Sequence, residues 1–249
     1  MMTELLKVNR PAPLKNVAAF STLLAKMVDR DPDLPGLAVF SGRSGDGKTK
    51  SAVYGANKYL AAYVECGQFT TARSLLMQIL IELGETHPRG SIEELKTNAI
   101  MLMVADPRRP LIIDEAHFIA KKRFVDLLRE LTDKSGAPVI MIGEEMLPKY
   151  LEEFERVHNR VLEWLLAVPC DAEDFGLLVA NRCPGIEIAS DLAAAILDKT
   201  KGNTRRIVVN LTKVVEASQI LGTKKIDLAA FGGVGAIFSA PKFTPRKFA

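Results

Sequence analysis

The chain has 249 residues, of which 48% are hydrophobic and 25% charged, with a net charge of +3. That balance describes a soluble globular chain large enough for one α/β domain and a smaller appendage, and the small net charge by itself says little about nucleic acid. No apolar run approaches bilayer-spanning length and Met1-Met2-Thr3-Glu4 lacks a signal-peptide core, so a cytoplasmic protein is expected.

Pro11 and Pro13 close a short leader, residues 1–15, and Asn16 is placed to cap a helix carrying Val17, Phe20, Leu24, Met27 and Val28 on one face. Asp31-Pro32-Asp33-Leu34-Pro35-Gly36 ends that helix and leads into the apolar run Leu37-Ala38-Val39-Phe40. Directly after it, Gly42-Arg43-Ser44-Gly45-Asp46-Gly47-Lys48-Thr49 fits G-x-x-x-x-G-K-[ST] without a mismatch. A strand that ends in such a loop and opens a helix turns successive backbone N–H groups toward one anion site. The pattern points to a bound nucleotide triphosphate, with Lys48 reaching the β/γ-phosphates and the Thr49 hydroxyl placed on Mg2+. A glycine-rich turn with an exposed lysine is the alternative.

Leu60 to Val64 reads as a second strand, Thr71 to Leu83 as a helix stopped by Gly84, and Ser91 with Glu94 as a capping box for a helix to about Val104. The run Leu111-Ile112-Ile113 then ends in Asp114-Glu115-Ala116-His117, as expected of a buried parallel strand delivering acids to its carboxyl edge. A buried acid needs a cation to compensate it, which assigns Asp114 to Mg2+. Glu115, one residue on, is placed to orient or deprotonate an attacking water. His117 is in reach of a hydrogen bond near that site, although a lone histidine is more often structural.

Lys121, Lys122 and Arg123 follow on a predicted loop as the densest internal basic run, either a DNA-phosphate contact or a solvated helix start. Arg73, in the loop after the second strand, and Arg108-Arg109 are weaker candidates for the same contact. Phe124, Leu127, Leu128 and Leu131 mark a helix, Pro138 to Gly143 a strand, Pro148 a helix start, and Leu165 to Val168 a fifth apolar run. Five strands interleaved with helices predict an α/β fold with a mostly parallel, doubly wound sheet, residues 16–170, with both motifs at the carboxyl ends of strands.

Beyond Pro169 the pattern is helical only, with Asp171, Ser190 and Thr204 as N-caps and Gly202 as a stop, giving a small helical lid over residues 171–228. Residues 229–249 form a glycine- and proline-containing basic tail, expected to be extended or disordered, and from Lys224 onward five basic residues face one acid, Asp227. A solvated tail and a tail that contacts DNA or a partner both fit that composition. The three widely spaced cysteines, Cys66, Cys170 and Cys183, suggest neither a disulfide framework nor a zinc site.

Together the phosphate loop, the Ile-Ile-Asp-Glu strand, a polar position after the fourth strand and the helical lid resemble the AAA+ ATPases. Within them, Asp114-Glu115-Ala116-His117, Ile142-Gly143-Glu144-Glu145 and Gly202-Asn203-Thr204-Arg205-Arg206 resemble the Mu-type phage DNA transposition protein B and the ATPase regulators of related transposons. The resemblance implies a five-stranded P-loop NTPase with a helical lid that binds ATP and Mg2+. It implies an oligomer, filament or ring, on double-stranded DNA without sequence preference, which recruits and activates a transposase. Gly42 to Thr49 would be Walker A, and Asp114 and Glu115 Walker B. Arg160, or Arg156 before it, would be the arginine finger that completes a neighbouring subunit's site, and Arg206 or Arg205 the sensor 2 arginine.

Glu144 stands where that family keeps a neutral sensor 1 residue. A carboxylate near a triphosphate is repulsive unless paired or turned away. Only a short leader and one helix precede the loop, so DNA contact is expected from the ATPase domain itself, with Lys121 to Arg123 facing the centre of the assembly. A helicase-loader or secretion-type ATPase with a protein partner, and a monomeric P-loop kinase of a small molecule, are the alternative readings.

Overall fold

Leu37–Gly42 (β1), Ala62–Glu65 (β2), Leu111–Asp114 (β3), Val139–Glu144 (β4) and Val161–Leu166 (β5) form one sheet in the order β2-β3-β4-β1-β5, with every neighbouring pair parallel. The computed structural model describes residues 12–240, in two units: Lys15–Val168, and Pro169 onward together with residues 12–14.

In the first unit, successive strand residues point to opposite faces, and both faces are apolar. Leu37, Val39, Val64, Leu111, Ile113, Val139 and Met141 pack on one side against Ala72–Glu82 (α3), Ile92–Ala105 (α4), Asp126–Ser135 (α6) and Leu147–Glu152 (α7). Ala38, Phe40, Ile112, Ile140 and Ile142 pack on the other against Lys15–Val28 (α1) and Lys48–Tyr59 (α2), with Phe20 stacked on Phe40 at 5.2 Å between centroids. Gly55 lets α1 and α2 approach closely, since a Cβ there would lie 2.4 Å from Leu24 Cδ1. Two short helices, His117–Lys121 (α5) and Glu155–His158 (α8), complete the unit.

Several expected boundaries move. Asn16 lies inside α1 rather than capping it, and its amide is used elsewhere. Leu60 ends α2 in a left-handed conformation at φ 51°, so β2 begins only at Ala62. Arg73 sits in the first turn of α3, which Thr71 caps through a reciprocal bond with Ser74, and not in a loop. Lys121 belongs to α5, a helix too short for periodicity to reveal, and Phe124 precedes α6. The fifth strand runs from Val161 to Leu166 and is only half buried, because as an edge strand it carries Glu163 and Trp164 among its apolar residues. The capping box of Ser91 and Glu94 is present on α4, and Pro148 lies in the first turn of α7.

The second unit contains Ala172–Arg182 (α9), Glu187–Ile188 (β6), Ser190–Thr200 (α10), Thr204–Leu221 (α11) and Lys225–Ile226 (β7). It is not purely helical, since β6 and β7 pair in parallel, although two-residue strands leave no sequence pattern to read. Asp171 caps α9 as expected, whereas Ala189 and Asn203, each one residue earlier than Ser190 and Thr204, occupy the caps of α10 and α11. Leu178, Leu192, Ile196, Ile207, Leu211, Val214 and Ile226 form its core.

Residues 229–240 were expected as extended or disordered chain, and they fold onto that core. Phe231 and Ile237 are buried, Val234–Ala236 forms a 3-10 turn, and Asn210 exchanges two hydrogen bonds with the Phe238 backbone, at 2.9 and 2.8 Å. Most of the leader, and Lys242, Arg246 and Lys247 of the basic tail, lie outside the described residues.

Candidate active site

Gly42 ends β1, and a Cβ there would lie 2.6 Å from the Cβ of Ala167, so only glycine lets the loop leave the sheet beside β5. Gly45 and Gly47 hold φ of 91° and 86°, the left-handed region that side chains disfavour. Gly47 is the N-cap of α2 and offers no side chain to its first turn, in contrast to Thr71 on α3 and Ser91 on α4. The orphan N–H groups of α2 therefore stay open toward an anion at the positive end of the helix dipole.

Three side chains shape the loop from within. Lys48 Nζ donates to the carbonyls of Gly42 and Arg43 at 2.8 and 2.9 Å, and burial pushes its pKa down while the acids Glu115, Asp46 and Asp114 pull it back up. Asp46 is 1% exposed; Arg43 Nε donates to its Oδ2 at 3.3 Å, its Oδ1 is without a hydrogen bond, and burial raises its pKa. Asn16 Nδ2 donates to the backbone carbonyls of Asp46 and Val168, both at 2.8 Å, while its Oδ1 accepts from Val168 N–H at 2.9 Å. This amide ties the loop to the chain leaving β5. Sequence reasoning had given it to helix capping, and a pairing 152 residues apart carries no local signal. Arg43 and Ser44 are half-buried and exposed, and Thr49 is exposed on the first turn of α2.

Asp114, 1% exposed, ends β3. Its Oδ2 accepts from the Tyr63 hydroxyl of β2 at 2.9 Å and its Oδ1 from the Glu115 N–H at 2.8 Å. Glu115 adopts φ 54°, outside the usual range for a side-chain-bearing residue, and its carboxyl is raised first by burial and then by the neighbouring Asp114 charge. Glu144, at the end of β4, pairs in register with Gly42 and so stands between the loop and the β3 acids. It is turned toward His117, whose Nε2 lies 3.9 Å from Glu144 Oε2 and whose Nδ1 lies 3.1 Å from Glu115 Oε2. Gly42 to Thr49, Asp114, Glu115 and Glu144 thus converge at the carboxyl ends of β1, β3 and β4.

Arg160 and Arg156 lie elsewhere in the first unit. Arg160 precedes β5 at the opposite end of the sheet: its carbonyl accepts from Leu37 N–H, at the start of β1, and its Nε lies 3.4 Å from Asp133 Oδ1. Arg156 is exposed on α8. Arg205 and Arg206 open α11 in the second unit, and Asn203 accepts from Arg206 N–H at 3.2 Å.

The basic run is largely engaged within the chain. Lys122 Nζ donates to the carbonyls of Gln68 and Thr70, and Arg123 pairs with Glu153 at 2.9 Å and lies over the Phe154 ring. Lys121 lies over the Tyr150 ring, and Arg73 donates to the Gly90 carbonyl at 2.6 Å. Arg109 is a brace, donating to the carbonyls of Leu60 and Glu82 at 2.8 Å each, where α2 and α3 end, and Arg108 pairs with Asp29. Cys66, Cys170 and Cys183 are buried free thiols, and burial pushes Cys66 up to about 12. Among the described residues, no helix is long and apolar enough to cross a membrane.

Residues 31–151 match the family described as AAA domain. No curated protein matches the chain in sequence. In fold, it is similar to the ORC2 protein of Aeropyrum pernix in its ADPNP–ADP complexes, with a TM-score of 0.66 and 15% identity over 93% of this chain and 68% of that one. The ORC1 protein of Aeropyrum pernix in complex with DNA gives 0.64 and 20% over the same shares, 93% and 68%. Cdc6p of Pyrobaculum aerophilum gives 0.63 and 20%, covering 87% of this chain and 64% of that one. At such identities the likeness is one of fold. Residues 31–151 thus match an AAA domain, and loop, strand order and fold comparisons agree on the α/β AAA+ P-loop NTPase fold, a five-stranded parallel sheet flanked by helices.

Proposed function

We propose that this protein is an ATP-dependent AAA+ ATPase that self-associates on double-stranded DNA and presents that DNA to a transposase. One observation carries the ATPase reading: the uncapped N-terminus of α2 behind Gly47, with Lys48 at its first position and the Asp114-Glu115 pair two strands away. The donor set fits a magnesium nucleotide, because Asp114 is a buried carboxylate in need of a cation and Thr49 is an exposed hydroxyl at the loop's end. Bound there through Asp114 and Thr49, Mg2+ would neutralise charge between the phosphates.

Within this reading the open N–H groups of α2 bind the phosphates, and Lys48 exchanges its two carbonyl partners for phosphate oxygens. Glu115 takes the proton of the attacking water, a role its raised pKa suits. Arg160 acts on the site of a neighbouring copy, and Arg206 or Arg205 senses the phosphates. Arg73, Lys121, Lys122 and Arg123 contribute to DNA contact, repeated from subunit to subunit so that a few cations each suffice.

A DNA partner is favoured over the protein partner of a secretion-type ATPase by the fold shared with ORC1, which was determined in complex with DNA. A helicase-loader role is the second reading, to be told apart by a preference for single strands. Transposase delivery rests on the motif resemblance around Asp114, Gly143 and Gly202. Electron micrographs of the protein with ATP and plasmid DNA are expected to show filaments or rings that vanish without nucleotide and in Lys48→Ala. Glu115→Gln is expected to retain ATP and lengthen the assemblies. A protein that stays monomeric with ATP and duplex DNA would sink the proposal.

A further inference from the structure

His117 is a buried titratable group at the edge of the site, and the roles assigned above do not use it. It opens α5 and is 3% exposed. Two backbone contacts fix its place. The Ala116 N–H donates to the Ile142 carbonyl at 2.7 Å, tying the turn after β3 to β4, and the chain at Gly143 runs so close that a Cβ there would lie 3.4 Å from His117 N. The ring therefore stands between two strand ends, with Nδ1 facing Glu115 and Nε2 facing Glu144.

Glu115 needs such a support. Its left-handed backbone sends the side chain off the line of β3, and a glutamate has three free torsions with which to miss its target. Lys48 attracts its carboxylate while Asp114 and Glu144 repel it, so the charges nearby do not define one direction. We propose that His117 is a positioning residue for Glu115, donating from Nδ1–H to aim its carboxylate at the water that attacks the nucleotide. This rests on the ATPase reading given above.

The chemistry of the imidazole supports that direction. Burial pushes the His117 pKa down, so the ring is neutral and carries a single N–H. Placed on Nε2, that proton would leave a lone pair on Nδ1 facing the Glu115 carboxylate at 3.1 Å, which is repulsive. Placed on Nδ1, it faces an acceptor, and the bare Nε2 is 3.9 Å from Glu144, beyond hydrogen-bonding distance. The Nδ1 contact has the distance of a hydrogen bond without its alignment, so a rotation of the Glu115 side chain completes it.

Two measurements on the full chain test this. In 15N-histidine NMR of the protein without nucleotide, the His117 signal, assigned by its loss in His117→Asn among three histidines, is expected to report the Nδ1–H tautomer. An Nε2–H tautomer would overturn the proposal, whatever the protein does with ATP. In steady-state ATPase assays, His117→Ala is expected to lower kcat by about 10- to 100-fold, the scale of a misaimed catalytic group. Affinity for a fluorescent ATP analogue should change less than about twofold. His117→Asn, whose amide nitrogen falls near Nδ1, should recover most of kcat, whereas His117→Gln, whose amide falls near Nε2, should not. Unchanged or raised kcat in His117→Ala, or equal behaviour of the two amides, overturns the proposal. A wild-type chain that fails to bind or hydrolyse ATP removes the ATPase reading instead, and the tautomer then reports the contact alone.

Discussion

The Tyr63 hydroxyl donates a 2.9 Å hydrogen bond to Oδ2 of Asp114, so β2 holds the acid that β3 presents. Together with the Glu115 N–H on Oδ1, it gives each oxygen of a buried carboxylate one donor. Burial, and then the same acid, raise the phenol's pKa well above its ordinary range, so it remains a donor at any working pH. Tyr63→Phe removes one donor and leaves a charged acceptor buried. Hydrogen bonds to charged groups contribute about 1.5–3 kcal/mol, and a stability loss of that size is expected in urea unfolding. A loss below about 0.5 kcal/mol would show that Asp114 finds another donor without Tyr63.

Asn16 offers a second test, because its amide bonds three backbone groups, the carbonyls of Asp46 and Val168 and the N–H of Val168. Asn16→Ala should cost about 2–4 kcal/mol, three neutral bonds at about 1 kcal/mol each. It should also weaken nucleotide binding, since the Asp46 carbonyl that shapes the loop is released. Asn16→Asp should bind nucleotide more weakly still, because it turns a carboxylate toward two carbonyls. Fluorescence titration with an ATP analogue checks the order wild type, alanine, aspartate, and the reverse order of the two variants would refute it.

How far the residues alone disclosed this arrangement depends on the range of the interaction. The glycine loop and the Ile-Ile-Asp-Glu run are local patterns whose backbone requirements are written in consecutive residues, and both stand where the sequence places them. The capping box of Ser91 and Glu94 and the apolar runs of β1, β3 and β4 are local in the same sense. The supports of the site are not: Asn16 with Val168, Tyr63 with Asp114 and His117 with Glu144 join residues 27 to 152 positions apart. A lone Asn, Tyr or His gives no pattern until the sheet order brings β2, β3 and β4 side by side. Edge strand β5 was misplaced for a related reason, since half of it faces solvent and does not read as a buried run.

Asp46 makes the loop's stability depend on pH. Its folded pKa is raised, so the folded chain holds that proton more tightly than the unfolded chain does, and stability falls as pH rises from the ordinary value of 3.8 through the folded one. The burden grows with pH and is complete once pH passes the folded value. Asp46→Asn removes it and gives up a 3.3 Å contact with the partly exposed Arg43 and an attraction to Lys48, both smaller than the burial that raises the Asp46 pKa. The variant is therefore expected to melt higher than wild type at pH 7, and the difference should disappear below pH 3.8. A lower melting temperature at pH 7 would mean that the Arg43 contact outweighs desolvation.

Arg160 gives the sharpest test of assembly, because geometry denies it a role at its own loop. Its carbonyl is bonded to Leu37 at the start of β1, whereas the phosphate loop begins at Gly42, the strand's last residue. Five strand steps of about 3.3 Å separate them by about 17 Å. If the guanidinium completes a site at all, the site belongs to another copy. Arg160→Ala should then lower kcat by about 10³-fold or more, the scale of a removed arginine finger, while each monomer binds nucleotide as before. Lys48→Ala should be inactive for the opposite reason, lacking the loop but keeping the guanidinium. Mixing the two inactive proteins places intact Arg160 side chains beside intact loops at a share of the interfaces. ATPase activity should reappear on mixing and rise with total protein concentration. Two silent variants that stay silent together would rule out action between subunits.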